Sequence, residues 1–426
     1  MTRAIFGPTF EEMLHPSAID PAVRQRAIRA AIAAPLDPIN LYNITWRGAD
    51  DKIKYEVLPK ELTGVEAPIV VLYGRDFPTG AHKVGAAYSV IAEALLFGHV
   101  DIDQHTVVWP STGNYGIGGA WVGGRVGAKS IVVLLEGMSR ERFERIGSYG
   151  AEVIKTPGVE SNVKEIYDKT WELRRDPNIR ILNQFEVMGN YRFHYHVTGN
   201  TIVELAAELN AQGIGNGSIA AFTSAMGSAG TIAAGDRIKQ VWPNARTVGL
   251  EPIQCPTLYN NGYGGHDIQG IGDKHVTWIH NVLNMDAIAC LDDIECKKGL
   301  QVLTSQAGQE TLARRYGIAE AKLRQLGRHI ARQIADLFVG PCRGELFVRV
   351  FAGEFIFGRR RLLSFQCHYT EPQRQGQPQS HETKLDEMIA PHSCLRSSYS
   401  AGARYIVTVT RSPVSTFAFL QSGSGI

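Results

Sequence analysis

Between residues 68 and 252, short β-branched and apolar runs alternate with segments of helical period. "PIVVLYG" reads as a strand and residues 82–97 as a helix. "HTVVWP" is a strand, followed by a glycine-rich turn and a helix from about residue 115. "SIVVLLEG" is a strand, "SRERFERIGSYG" a helix and "AEVIKTP" a strand. "SIAAFTS", "SAGTIAAGDRIKQV" and "RTVGLEP" repeat the strand–helix–strand order. Such alternation with short turns predicts parallel sheets covered by helices. In these sheets ligands sit beyond the carboxyl ends of the strands, where two glycine-rich turns lie. Upstream, "DPAVRQRAIRAAIAA" has helical period with basic residues on one side, which predicts a surface helix packing an N-terminal arm.

Composition adds mainly exclusions. A chain of 426 residues, 44% hydrophobic and 20% charged, is long enough for two or three domains. Lys plus Arg is 44 and Asp plus Glu 42, a formal net charge of +2, which gives no reason to expect nucleic acid or an anionic membrane as partner. The six cysteines, Cys255, Cys290, Cys296, Cys342, Cys367 and Cys394, form no C-x-x-C and no zinc-finger spacing, so they read as reduced core residues. The opening "MTRAIFGPTFEEMLHPS" lacks the apolar segment of a signal peptide, and no apolar run approaches the roughly 20 residues that span a bilayer. The expectation is a cytoplasmic protein. Residues 342–426 change character, with nine Arg against the single Lys384 and half of the cysteines. "TEPQRQGQPQSHETK" has linker composition, and the Arg run in "FIFGRRRLLSF" reads as a solvated basic turn.

Three features carry candidate chemistry. The turn "WPSTGNYGIGGAWVGG" (109–124) follows a strand and opens a helix, a place where backbone N–H groups bind anions. Gly113, Gly116 and Gly118, with Glu136 roughly 20 residues on, form an out-of-register dinucleotide fingerprint. Alternatively Ser111, Thr112 and Asn114 offer side chains to a carboxylate, and close helix–strand packing explains the glycines but not this polar cluster. The turn "TSAMGSAGT" (223–231) could wrap a phosphate with Gly227, Ser228, Ala229, Gly230 and the hydroxyl of Thr231. It lacks the Lys of a nucleotide-triphosphate loop, and a plain tight turn explains it as well. The third feature is Lys83 in "DFPTGAHKVGAAYSVIAEALL". Alone it reads as a lysine snorkelling from an apolar helix. In apolar surroundings, however, an amine loses charge and becomes a nucleophile. A lysine, a phosphate cup and a carboxylate cup are together what pyridoxal 5′-phosphate chemistry needs.

In these motifs the sequence resembles the fold-type II pyridoxal-phosphate enzymes, the cysteine synthase and tryptophan synthase β-subunit superfamily. "PTGAHK" is similar to the tryptophan synthase lysine motif and "STGNYGIGGA" to the T-S-G-N-T-G loop of cysteine synthases. "GSAGT" matches their G-T-G-G-T loop, with Ala229 replacing a glycine. "VGLEP" (248–252) and "IQGIGDKHV" (268–276) follow in the family's order. The resemblance implies that Lys83 holds the cofactor covalently and moves the substrate Cα proton. It implies that His82 helps with the phosphate and that Asn114 hydrogen-bonds the cofactor's 3′ oxygen. It further implies that residues 227–231 hold the phosphate, and that Ser111, Thr112, Tyr115 and Gln184 of "LNQF" line the carboxylate site. Tyr115 stands where the family usually has Thr. Family members carry a Gly-Ile-Ser turn whose Ser faces the pyridine nitrogen and favours β-elimination over transamination. "LRQLGRHIARQIADLFVGPCRGE" occupies its place here, so the tail reads as a shifted frame, a divergent replacement or an unrelated extension.

The expected fold is therefore α/β: two three-layer domains with mainly parallel sheets and the cofactor in the cleft between them. The expected boundaries are an arm at 1–65, a larger domain of 66–110 and 196–335, a smaller one of 111–195, and an atypical tail at 336–426. The implied reaction is β-replacement or β-elimination on a serine- or cysteine-like amino acid, by a cytoplasmic homodimer with no metal, nucleic-acid or membrane partner. A catalytically dead protein that keeps the fold, and a dinucleotide-binding oxidoreductase, are the alternatives.

Overall fold

The computed structural model describes residues 7–111, 113–158, 163–262, 264–268 and 270–338, and the pairs Phe365–Gln366 and Thr408–Val409. Thr112, Gln269 of the "IQGIG" segment, Cys342, Cys367, Cys394 and the rest of the tail from 339 lie outside the described residues.

Two parallel sheets organise the chain. The first has β3 (Thr106–Pro110), β4 (Lys129–Leu135), β5 (Glu152–Thr156) and β6 (Ile179–Ile181) in the order β5-β4-β3-β6; the second has β7 (Ala221–Ala225), β8 (Arg246–Pro252) and β9 (Ala287–Leu291) in sequence order. All their pairings are parallel. Val107, Val108 and Trp109 of β3 and Val132 to Leu135 of β4 are fully buried. Strands covered by helices on both faces read as continuous apolar runs rather than alternating ones, which is why these two stand out in the sequence.

Two details differ from the expected layout. "PIVVLYG" supplies β2 (Val70–Leu72), which pairs antiparallel with β1 (Tyr55–Val57) in its own two-stranded sheet. In addition, β3 hydrogen-bonds to β4 and β6, so the four-stranded sheet begins at Thr106, ahead of the expected boundary at 110.

The order of the first sheet decides where a ligand can sit. From β3 the chain steps to β4 and β5, then returns to add β6 on the other side of β3. The carboxyl ends of β3 and β6 therefore flank the reversal in strand order, the place where open parallel sheets bind ligands. Ser111 follows β3, and Asn183–Gln184 follow β6, joined to β3 by Leu182 N donating to Val108 O at 2.8 Å.

Small residues bring the helices around this point into close contact. Lys83–Leu96 packs against Asn114–Val126 and against Met188–Phe193. A Cβ on Gly118 would lie 3.0 Å from Val84 Cα, and one on Gly189 would lie 2.8 Å from Val90 Cα. Backbone contacts this tight leave no room for a side chain. They set Lys83 and Asn114, each the first residue of its helix, side by side.

At the far end, the helix Glu320–Phe338 is fastened to β1 through Glu56, which is 5% exposed. Its carboxylate meets Lys322, Gln325 Nε2 at 3.3 Å, His329 Nδ1 at 3.0 Å and Tyr73 OH at 3.3 Å. Burial pushes the Glu56 carboxyl up, but the Lys322 and His329 bonds outweigh it and hold it below its ordinary range.

Candidate active site

Lys83 is 8% exposed, buried by the small residues that follow it. Its Nζ donates to Ser228 Oγ at 2.9 Å and to Gln184 Oε1 at 3.2 Å. One amine thus joins the helix Lys83–Leu96, the segment after β6 and the turn after β7. This is no snorkelling surface lysine, because its amine points inward onto two buried acceptors. His82 caps the helix and is 2% exposed. Its ring stacks on Trp46 at 5.9 Å and meets His194 edge-on at 5.0 Å.

The turn 227–231 joins β7 to the helix Ile232–Val241. Gly227 is required by a carbonyl: a Cβ there would sit 2.8 Å from Gly270 O. Ala229 takes a left-handed φ of 60° and is 3% exposed, a conformation that costs an L-residue about 1–2 kcal/mol. The loop so formed presents successive N–H groups at a helix start, an anion-binding arrangement. Thr277 Oγ1 donates to Ser228 O at 2.9 Å and pins the loop from outside. The Thr231 hydroxyl, expected at the phosphate, has partners within the protein. Thr231 Oγ1 accepts from Ser224 Oγ at 2.7 Å and donates to Ala225 O at 3.4 Å, so it closes the end of β7.

Across the lysine lies the turn after β3. Ser111 is 1% exposed and its Oγ accepts the N–H of Gly113 at 2.8 Å, which leaves its hydroxyl hydrogen to donate. Asn114 Nδ2 is buried with no acceptor, an unsatisfied donor of the kind that calls for an explanation. Thr112, expected beside them, lies outside the described residues. Tyr115 does not line the site. Its OH donates to Leu182 O at 2.9 Å and its ring packs edge-on against Trp109 at 5.7 Å, because one residue further along the helix the side chain turns into the core. The fully buried Arg142 packs beneath Gly113, where a Cβ would lie 2.9 Å from the guanidinium carbon.

The same turn argues against a dinucleotide. The space beside Gly116 is taken by Val132 and Ser111, and that beside Gly118 by the Val84 backbone. These glycines serve packing, and Glu136 lies exposed at the end of β4.

Two functional candidates were absent from the sequence reading. Asn190, fully buried on Met188–Phe193, donates through Nδ2 to Ser228 Oγ at 3.1 Å and to Gln184 O at 3.0 Å. Its signal was available: Asn190, Phe193 and His194 have the i, i+3, i+4 spacing of one buried helix face, and all three are 0% exposed. The second is Glu251 of β8, in a small cavity with Gly227, Asp273, His275 and His280. Burial pushes its carboxyl up to about 7, against the N–H bonds from Leu258 and Tyr259. Burial lowers His280 to about 4, so it carries no charge to offset that of Glu251 at neutral pH.

The gathered groups are an inward amine, an anion cup and an unsatisfied amide donor. They fit pyridoxal 5′-phosphate, which offers a carbonyl carbon, a phosphate dianion and a ring oxygen. Comparison with known proteins gives the same cofactor. The chain is 32% identical to a cysteine synthase of Staphylococcus aureus over 212 residues, 50% of this chain and 65% of that protein. It is 32% identical to cysteine synthase B of Campylobacter jejuni over 236 residues, 53% of this chain and 75% of the relative. The chain thus spans slightly under two thirds of the first relative's length. Among solved structures, a hydrogen sulfide-producing enzyme of Fusobacterium nucleatum superposes with a TM-score of 0.50 at 26% identity, covering 56% of this chain and 69% of that one. An O-acetylserine dependent cystathionine beta-synthase from Helicobacter pylori shares the fold, with a TM-score of 0.53 at 23% identity over 66% and 87% of the two chains. The family model described as pyridoxal-phosphate dependent enzyme matches residues 67–318, more than half of the chain, and the protein belongs to that family.

Proposed function

We propose that this chain catalyses β-replacement or β-elimination on a serine- or cysteine-like amino acid, with Lys83 as its catalytic residue. The observation that carries the reading is the lysine amine held between Gln184 and Ser228, one on the side of the carboxylate turn and the other in the phosphate turn. The similarity to cysteine synthases supports the substrate class. When bound, pyridoxal 5′-phosphate supplies an electron sink for the charge left at the substrate Cα.

The chain's own residues divide the remaining work. Lys83 Nζ holds the cofactor and, released from it, takes the Cα proton. The backbone of 227–231 and the Ser228 hydroxyl hold the phosphate at the N-terminus of Ile232–Val241. Asn114 Nδ2 donates to the ring oxygen. Ser111, Thr112 and Gln184 orient the substrate carboxylate, so that the Cα–H bond faces the amine and the β-substituent can leave. His82, stacked between Trp46 and His194, keeps the start of the lysine helix in place.

The catalytic unit is a cytoplasmic homodimer in this reading. The three described cysteines are free thiols, which supports a reducing compartment. Among the described residues no helix is long and apolar enough to cross a membrane. The exposed apolar side chains Ile32 at 90% and Trp278 and Leu283 at 87% leave apolar area for a second copy to cover, which sedimentation would test.

The decisive experiment is borohydride reduction of purified protein loaded with cofactor, followed by peptide mapping, with Lys83→Ala as control. The expected result is a reduced adduct on Lys83 that is lost in the folded variant, together with turnover of β-substituted amino acids by the parent. An adduct that persists in Lys83→Ala would overturn the assignment.

A further inference from the structure

We propose that Asn190 is a positioning residue that turns the Ser228 hydroxyl hydrogen toward the cofactor phosphate and couples the phosphate turn to the carboxylate side of the site. The inference rests on the proposed cofactor site and adds to it a residue that contacts neither cofactor nor substrate.

The argument begins with the hydrogen-bonding capacity of one hydroxyl. A serine Oγ has two acceptor lone pairs and a single hydrogen to donate. Ser228 Oγ accepts from Lys83 Nζ at 2.9 Å and from Asn190 Nδ2 at 3.1 Å. Both acceptor positions are filled, so the hydroxyl is left as a pure donor. A donor is what a phosphate dianion needs, and Ser228 is in the middle of the anion turn.

The orientation of the Asn190 amide follows from a second partner. Nδ2 also donates to Gln184 O at 3.0 Å. A main-chain carbonyl can only accept, so the nitrogen must face it and the amide cannot be reversed. The amide is rigidly seated as well. Asn190 is 0% exposed, and it fills the space that a side chain at Gly230 would need, since a Cβ there would lie 2.6 Å from Asn190 Cγ. Its own oxygen, Oδ1, is buried without a hydrogen-bond partner. That orphaned acceptor is the cost of aiming both amide hydrogens at Ser228 and Gln184, and a side chain retained only for packing would not need it.

The arrangement matters most once Lys83 is committed to the cofactor. The lysine then leaves Ser228, and Asn190 becomes the fixed donor that keeps the hydroxyl from turning its hydrogen away from the phosphate. The same amide holds the main chain of Gln184, so a shift of the phosphate turn is transmitted to the side chain facing the substrate carboxylate.

The test uses the full chain loaded with pyridoxal 5′-phosphate. It measures the cofactor dissociation constant by equilibrium dialysis and the phosphorus-31 resonance of the bound phosphate. Ser228→Ala removes the donor to a charged group, and affinity is expected to fall about tenfold to a hundredfold. Asn190→Ala is expected to weaken binding about tenfold and to move the phosphorus resonance in the same direction as Ser228→Ala. In the Ser228→Ala background it should have no further effect on affinity, because there is no hydroxyl left to orient. Asn190→Asp keeps the shape, removes the donor and adds a negative charge, and is expected to bind more weakly than Asn190→Ala. It also serves as the test should the alanine variant not fold. Parent-like affinity and an unmoved phosphorus resonance in Asn190→Ala or Asn190→Asp, or effects that add in the double variant, would overturn the inference. Failure of the parent itself to hold cofactor on Lys83 would instead overturn the proposed function.

Discussion

Replacing Glu251 with Gln should remove one pH-dependent contribution to stability over a defined window. Glu251 is 3% exposed, and its carboxylate accepts the N–H of Leu258 at 2.9 Å and of Tyr259 at 3.3 Å. Desolvation is the larger effect, and its pKa rises from 4.5 to about 7. A carboxyl whose folded pKa is raised binds its proton more tightly when folded than when unfolded. Its contribution to stability is therefore fully present below pH 4.5 and is lost as pH rises to about 7. At 1.36 kcal/mol per pKa unit, that loss is about 3 kcal/mol. Cys290, pushed up to about 12, stays neutral through the window, while His280, lowered from 6.5 to about 4 on folding, makes stability rise with pH over the same range; that effect is common to parent and variant and cancels in their difference.

Glutamine is neutral at every pH, so the contribution of position 251 to the slope should vanish in the variant. Its amide has one acceptor oxygen for two N–H groups, and the mismatch costs about 1–2 kcal/mol. Glu251→Gln should therefore be less stable than the parent by about 1 kcal/mol at pH 4.5 and more stable by about 2 kcal/mol at pH 8, with the curves crossing near pH 5.5. Urea denaturation of both proteins at four pH values, with protein and cofactor concentrations held constant, measures this directly. Parallel curves across pH 4.5–8 would refute the reasoning, since they would mean that Glu251 titrates alike in the folded and unfolded chains.

Asn114→Ala should shift the visible absorption of bound cofactor, whereas Thr112→Ala should leave it unchanged and weaken amino-acid binding about tenfold to a hundredfold. A spectral titration with serine and cysteine separates the two, and parent-like amino-acid binding by Thr112→Ala would remove that turn from the carboxylate site. Ala229→Gly should relieve the left-handed strain at φ 60°, worth about 1–2 kcal/mol, against about 0.5–1 kcal/mol of added chain entropy. A net gain of roughly 0.5–1 kcal/mol should raise the urea midpoint, and a lowered midpoint would contradict it. Gly230→Ala sets a methyl 2.6 Å from Asn190 Cγ and should cost about 1–3 kcal/mol by overpacking, with a fall in cofactor affinity. Calorimetric titration showing unchanged affinity would argue that the phosphate binds elsewhere.

The parts of the fold that were legible in the sequence are those whose burial is two-sided or whose turns have special chemistry. "RTVGLEP" is strand β8 residue for residue, and the helix expected at 82–97 runs Lys83–Leu96. By contrast β6 is three residues, Ile179–Ile181, with Arg180 at its centre, and only its pairing with β3 makes it a strand. β2 looked like a parallel strand because an apolar run of its kind does not encode direction; its antiparallel partner β1 fixes that. In the site, Lys83, Ser228 and Gln184 were named, and the last two lie within hydrogen-bonding distance of the lysine amine. Sequence adjacency misled at Tyr115, where one further step along a helix rotates the side chain from the turn to Trp109. It also misled at Thr231, whose hydroxyl found Ser224. Asn190 escaped because the i, i+3, i+4 spacing in "FEVMGNYRFHYH" marks a buried helix face but not its hydrogen-bond partners Ser228 and Gln184, which the fold supplies.

The spacing of the lysine's contacts along the chain bears on how the protein is made. Lys83 and Ser228 are 145 residues apart, and Glu56 and His329 are 273. Closing a loop of the first length costs ~4 kcal/mol of chain entropy before any contact is gained, and such long-range closures are slow. A nascent chain therefore has its first sheet and its lysine before it has the turn that grips the phosphate. Until Ser228 and the Thr277 strap have emerged and docked, the amine is a nucleophile without a pocket. If the proposed site holds, cofactor on Lys83 would count only those molecules in which both sheets have come together, and its colour would report the docking of residues far apart in the chain.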